Sequence, residues 1–195
     1  MSSSRDHAYS EPDIPAELTA ELAGTQRPPH PTPDQDGEAG PINWLTLSAA
    51  DAEAELLDLN RWVDWLRHAY GLPPTVVPPL WHRHDELIWE LSALHTHWLN
   101  SYHPDASPSA PSAWHRDFAD TRNRLREWVA TCGTRLDRDR PTRQATWPGE
   151  TAVEPTPESI IANRDEDFVA FLIDDHNSRL PGRVGPEDDH PHGDP

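Results

Sequence analysis

Apolar residues recur at helical spacing in three stretches of this chain. Steps of four and three residues, the repeat of one face of an α-helix, connect the apolar positions of each stretch, and no strand-like alternation competes with them. The first apolar stripe is Ala52, Leu56, Leu59, Val63, Leu66 and Tyr70; the second is Leu87, Leu91, Leu94 and Trp98; the third is Trp114, Phe118, Thr121, Leu125, Trp128 and Cys132.

Prolines and capping residues set the limits of these helices. None of the 22 prolines falls within the three stretches, and proline is the strongest interruption of a helix interior. Ser48 is a suitable N-cap for the first helix and Gly71 a suitable end, while Gly133 is the expected C′ residue of the third. The predicted helices span residues 49–69, 84–102 and 113–132.

Three amphipathic helices with short connections predict an all-α fold, a small antiparallel three-helix bundle over residues 42–147. The first connection, GLPPTVVPPL, carries four prolines and is predicted to lie along the bundle as extended chain. Residues 148–156 are interpreted as a linker.

A short acidic amphipathic helix is predicted over residues 157–176, with Thr156 as cap and Pro157 at its first position. Such a segment is too short and too acidic to be a stable helix alone, so its apolar side needs a surface. That surface is either its own bundle or a groove of another protein, and the acidic flanks favour the second. The apolar side consists of Ile161, Phe168, Phe171 and Leu172.

The chain ends are predicted to be disordered, acidic, proline-rich tails, residues 1–41 and 177–195. Of the 195 residues only 35% are hydrophobic and the net charge is -18, which is typical of partly disordered proteins. Nine tryptophans nevertheless indicate a compact core. A single cysteine, the lack of an apolar N-terminal run and the lack of a membrane-length apolar stretch predict a cytoplasmic protein without a membrane partner.

The stretch WHRHDELIWELSALHTHW, residues 81–98, contains four histidines and three tryptophans. His82 and His84 are two residues apart, as are His95 and His97, so the members of each pair point to nearly opposite sides of a helix. His84 and His95 share a face but lie roughly 16 Å apart along it. No metal and no other cofactor is therefore predicted, and the geometry left open is an interhelical site with His103, His115 or Cys132.

Two tryptophans, Trp65 and Trp89, lie off the apolar stripes of their helices. Exposed indoles on a small bundle need cover, either from another part of the chain or from another protein. The candidate partner surface consists of Trp65, Trp89, Phe168, Phe171 and Leu172.

Residues 114–147 are locally basic, with eight arginines and five acids. Arg124 is expected to pair with Asp120, one helical turn away. Arg122 and Arg126 need partners outside their helix, and carboxylates of the first helix, Asp58 or Asp64, are one choice. The other is a strip that contacts the phosphates of single-stranded nucleic acid, with Trp128 and Trp147 stacking on bases. That strip is His115, Arg122, Arg126, Arg135, Arg138, Arg140 and Arg143.

Residues 60–134 resemble the actinobacterial domain-of-unknown-function family numbered 4913. The elements that carry the resemblance are W-V-x-W-L, W-x-x-H, E-L-S-A-L, W-H-R-D and L-R-E-W. The resemblance implies a cytoplasmic actinobacterial protein associated with plasmids and integrative or conjugative elements, and it implies no activity.

No sequence motif of a phosphate loop, a zinc protease or a serine hydrolase occurs in the chain. The sequence therefore predicts a non-enzymatic accessory protein of a mobile element that acts through protein–protein contacts. The alternative is a single-stranded nucleic-acid-binding module that uses the arginine strip.

Overall fold

The computed structural model describes residues 39–151, 154 and 156–180, and most of the two predicted tails lies outside these residues. The described part is mostly helical, which confirms the predicted fold class. Its elements are α1 (Ala49–Tyr70), a 3₁₀ turn (Trp81–Arg83), α2 (Asp85–Ser101), α3 (Ala110–Thr131), β1 (Arg138–Asp139), β2 (Ser159–Ile160) and α4 (Arg164–Arg179).

The caps of α1 are those that the sequence predicts. The Ser48 hydroxyl accepts a hydrogen bond from the backbone N–H of Asp51 at 3.2 Å, which satisfies one of the free donors of the first turn. Gly71 adopts the left-handed conformation with φ 57°, where glycine carries no steric penalty. The first helix therefore ends at Tyr70 because the next residue reverses the chain.

The proline-rich connection between α1 and α2 is not extended, contrary to the prediction. The backbone N–H groups of Val76 and Val77 both donate to the carbonyl of Pro73, at 2.8 and 3.1 Å. Both valine side chains are buried in the core, and this burial favours a turn over a solvated extended chain. The connection ends in the 3₁₀ turn, which leaves His84 as the N-cap residue of α2.

Helix α3 begins at Ala110, three residues before the predicted start, with Pro111 in its first turn. The first turn of a helix has no intrahelical acceptor for its N–H groups, so proline is tolerated there. Its end at Thr131 agrees with the predicted end within one residue.

The predicted start of the fourth helix is wrong. Asn163 caps α4, and its side-chain oxygen accepts from the N–H groups of Asp165 and Glu166 at 3.1 and 3.4 Å. The preceding Ser159 and Ile160 form β2, which pairs antiparallel with β1. Strands of two residues are too short to show the alternation by which a sequence predicts strands.

Helix α4 is a member of the bundle, so the preference for docking on another protein is wrong. It packs along α1, while α1 also packs on α2 and α2 packs on α3. Phe168 and Leu172 are buried in the core. The His176 imidazole meets the Glu53 carboxylate at 2.9 Å, and Arg179 donates to the carbonyl of Trp44 at 2.7 Å. The helix is thus held by an apolar face and by polar contacts near its C-terminal end.

The apolar core runs through all four helices and the first connection. Its largest fully buried side chains include Trp62, Trp81, Trp114 and Phe168. Within the described residues, no helix is long and apolar enough to cross a membrane.

Candidate functional site: an arginine-lined groove beside two buried histidines

The segment Trp81–His84 ties the C-terminal half of the chain to the bundle, and His82 is its first anchor. This side chain is fully buried, and its Nε2 lies 2.8 Å from Oδ2 of Asp167 on α4. Burial lowers the pKa of His82, so the ring is neutral at pH 7 and donates Nε2–H to the carboxylate. Its Nδ1 has no hydrogen-bond partner among the described residues.

Arg83 binds the same carboxylate with two hydrogen bonds, from Nε at 2.8 Å and from a terminal nitrogen. Burial opposes the ionisation of Asp167, but the hydrogen bonds from His82 and Arg83 outweigh it and hold its pKa at about 2. Asp167 is therefore charged at neutral pH, and Arg83 is its ionic partner. We call His82, Arg83 and Asp167 the α4 clasp.

His84 is the second anchor and points to the segment that follows α3. Its side chain is fully buried, and its Nε2 lies 2.8 Å from Oδ1 of the buried Asp139 on β1. Its Nδ1 lies 3.0 Å from the hydroxyl of Thr142, which donates to Oε1 of Glu86 at 2.6 Å. A chain of polar contacts thus joins β1, the N-terminus of α2 and Thr142.

Cys132, the C-cap residue of α3, lies beside this chain of contacts. Burial raises the pKa of its thiol. Potential ligand atoms of His84, Glu86 and Cys132 all lie within 4.8 Å of one another. Of the three residues left open for an interhelical metal site, Cys132 is the one that lies near other potential ligands, His84 and Glu86. His115 instead forms a hydrogen bond with the hydroxyl of Tyr70 at 3.0 Å.

A groove with a volume of about 840 Å³ opens between the C-terminal part of α3, the segment after it and the first connection. Val129, Ala130 and Leu136 contribute apolar surface to it. Its charged lining residues are Arg126, Arg135, Arg138, Arg140, Asp137 and Glu158.

The groove arginines differ in how far they are neutralised. Arg138 pairs with Asp137 at 3.1 Å, and Arg135 and Arg138 approach Glu158 at 3.7 and 3.9 Å. Arg126 donates to the side chain of Asn123, and Arg140 to the carbonyl of Pro141. Within the described residues neither Arg126 nor Arg140 lies within ion-pair distance of a carboxylate, so the groove retains positive charge.

The predicted arginine strip is only partly assembled. Arg126, Arg135, Arg138 and Arg140 line the groove, whereas His115, Arg122 and Arg143 do not. Arg122 lies over the ring of Phe118 at 5.8 Å, and its Nε has no hydrogen-bond partner in the described part of the chain.

The predicted pairing of Arg124 with Asp120 is wrong, and within the described residues Arg122 and Arg126 do not pair with Asp58 or Asp64, which was one of the two alternatives for them. Asp58 pairs with Arg61 and Asp64 with Arg67, so the first helix does not neutralise the two arginines of α3. Arg124 pairs with Glu90 on α2, at 2.7 Å, rather than with Asp120. The acid on the neighbouring helix is nearer to the guanidinium than the acid one turn away.

The predicted partner surface does not form one patch. Trp65 is half-buried beside Trp98, with ring centroids 5.3 Å apart, so the chain covers it internally. Trp89 remains 39% exposed. Phe168 packs near Trp81, with centroids 6.3 Å apart, and Phe171 lies 5.4 Å from the His82 ring. Phe168, Phe171 and Leu172 face the bundle, and α4 covers Trp81 rather than Trp65 or Trp89.

His95 occupies a different buried position, between tryptophans of α1 and α2. Its ring centroid lies 4.8 Å from Trp62, and its Nε2 lies 3.8 Å from the nearest Asp58 oxygen without a hydrogen bond. Burial lowers the pKa of His95 to about 4. It is a neutral core residue at pH 7.

Sequence reasoning missed Asp139, Thr142 and Asp167. The W-x-x-H element at 81–84 marks the segment that binds them, but the partners lie 55 to 85 residues further along the chain. Asp167 is one of three acids in the first turn of α4, where acids are expected for dipole reasons alone.

Comparison with known protein families, with characterised proteins and with solved structures gives no match to this chain. The resemblance to family 4913 therefore stays an expectation from the sequence.

Proposed function

We propose that this protein acts by binding, and that the groove holds an acidic segment of a partner protein. The observation that carries the proposal is a pair of arginines, Arg126 and Arg140, that have no carboxylate partner among the described residues and lie beside an apolar surface. In a chain of net charge -18, a locally positive groove selects acidic ligands that approach it in one orientation.

The apolar part of the groove favours a protein segment over nucleic acid. Leu136 is 67% exposed, and a leucine or aromatic residue between the acids of a partner peptide would cover it. Nucleic acid brings a denser negative charge, which the surrounding acidic protein repels. The split of the arginine strip also shortens the track that a single strand needs.

The context of this proposal comes from the family resemblance, which points to an accessory protein of an actinobacterial plasmid or integrative element. A partner encoded by the same element, with an acidic segment near an apolar residue, fits both the groove and that context. Binding rather than catalysis is part of the same proposal.

The test uses fluorescence anisotropy with a labelled peptide of alternating glutamate and leucine and, separately, labelled oligothymidylate. Replacing Arg126 and Arg140 together by glutamine should weaken peptide binding by about tenfold or more, since hydrogen bonds to charged groups contribute about 1.5–3 kcal/mol each. The matched control replaces Arg67 and Arg116, which lie outside the groove lining, and should leave peptide affinity unchanged.

The proposal is contradicted if both double variants lose peptide affinity equally, or if the unaltered protein does not bind the peptide. Oligothymidylate affinity that exceeds peptide affinity and falls steeply with salt would favour the nucleic-acid alternative, because released counterions set that slope.

A further inference from the structure

We propose that His84, Glu86 and Cys132 form a binding site for a zinc ion. The three residues come from the N-terminus of α2 and the C-terminal end of α3, and their potential ligand atoms lie within 4.8 Å of one another. The Nδ1 of His84 is 3.8 Å from Oε1 of Glu86. Ligands about 2.0–2.3 Å from a tetrahedral zinc ion lie roughly 3–4 Å from each other, so a small contraction completes the arrangement.

The buried Asp139 positions His84 for this role. It accepts from Nε2 at 2.8 Å and is itself only 2% exposed. Histidine ligands of metal ions commonly donate their second ring N–H to a carboxylate, which fixes the tautomer and the ring orientation. With Nε2 facing Asp139, the other ring nitrogen, Nδ1, faces Glu86 and Thr142.

The Thr142 hydroxyl lies between two of the proposed ligands. It is 3.0 Å from Nδ1 of His84 and donates to Oε1 of Glu86 at 2.6 Å. A cation between the imidazole and the carboxylate would replace these hydrogen bonds, and Thr142 would then turn its hydroxyl to another acceptor.

The donor set favours zinc over magnesium or calcium. Imidazole nitrogen and thiolate sulfur are ligands that zinc prefers, whereas hard cations prefer oxygen alone. Three protein ligands leave the fourth tetrahedral position to water. The Glu86 side chain, 17% exposed beside the fully buried His84, marks the side from which the ion enters.

Zinc at this site would fix the segment from Cys132 to Thr142, which carries three of the groove arginines. The inference is independent of the proposed function, because peptide binding can be measured in a chelator. If the unaltered chain binds the peptide but not zinc, this inference alone is overturned. If it binds zinc but not the peptide, the proposed function alone is overturned.

The experiment titrates the untagged full chain with Co²⁺ and then displaces the cobalt with Zn²⁺. We expect one equivalent of cobalt with a thiolate-to-cobalt charge-transfer band, lost on addition of zinc. Cys132→Ser should abolish the band, and Glu86→Gln, at a partly exposed position that tolerates the change, should weaken zinc affinity about tenfold or more. The matched control, His103→Gln with Glu127→Gln, lies away from the cluster and should bind as the unaltered chain does.

Stability gives a second measurement that does not depend on cobalt spectra. Zinc should raise the melting temperature of the unaltered chain by mass action and leave that of Cys132→Ser unchanged. No charge-transfer band, or a band that survives Cys132→Ser, overturns the proposal.

Discussion

At Gly133 the backbone passes so close to Arg140 that a side chain has no room. A Cβ added there would lie 2.0 Å from Cγ of Arg140 and 2.7 Å from its Nε. The sequence places Gly133 as the C′ residue of the third helix, where glycine usually serves a left-handed conformation. Its backbone is not left-handed, because Cys132 ends the helix in an extended conformation. Glycine is needed at position 133 because Arg140 leaves no space for a side chain, and not because the backbone needs a left-handed conformation.

Gly133→Ala should therefore move the Arg140 side chain out of the groove. We expect a loss of about 1 kcal/mol in the free energy of unfolding from overpacking, together with weaker binding of the glutamate–leucine peptide. Urea unfolding and fluorescence anisotropy measure the two effects. Gly40→Ala is the control, since nothing lies within 4 Å of its added Cβ. Unchanged peptide affinity in Gly133→Ala would show that the position of Arg140 does not matter.

At the scale of elements, the local sequence pattern predicts where the helices lie, but it does not predict which surfaces they pack against. The stripe spacing and the capping residues locate α1 to α3 within three residues, because helix signals lie within a few turns of sequence. The apolar face of α4 is also readable, through Phe168 and Leu172. Its docking surface depends on Asp167 meeting His82 and Arg83, which are more than 80 residues away. The groove arginines were readable as charges and Cys132 as a residue of the apolar stripe, but the burial of Asp139 beside them was not.

Asp167→Asn tests how much the α4 clasp contributes to stability. The amide keeps the shape but loses the charge and one acceptor oxygen, so we expect the free energy of unfolding to fall by roughly 2 kcal/mol. Urea unfolding followed by tryptophan fluorescence measures it, and Trp81 lies under α4 as a reporter. Asp174→Asn, an exposed acid on the same helix, should change stability little. If the two variants are equally stable, the clasp contributes nothing beyond the apolar contacts.

For the whole molecule, the buried histidines make stability depend on pH. Burial depresses the pKa of both His82 and His95 below the ordinary value of 6.5. The unfolded chain therefore binds more protons than the folded chain once the pH falls below about 6.5, and stability decreases with falling pH. For His95 the loss is complete near its folded pKa of about 4.

His95→Phe should remove one part of this pH dependence while keeping a ring beside Trp62. From a folded pKa of about 4, His95 accounts for a loss of about 2 kcal/mol between pH 7 and pH 5. Urea unfolding at the two pH values measures this difference for the unaltered chain and for the variant. The variant should lose less stability than the unaltered chain on acidification. Equal losses would mean that His95 is not the buried neutral group described above.

The contacts of His82 and His84 with their carboxylates can form only in a fixed order while the chain is synthesised. Their carboxylate partners follow 85 and 55 residues later in the chain, and translation delivers the N-terminal part first. Helices α1 and α2 leave the ribosome while both imidazoles still lack their carboxylates. His84 receives Asp139 first, and His82 waits until Asp167 emerges. Both histidines of the nascent chain therefore have their carboxylate partners only after synthesis has passed Asp167.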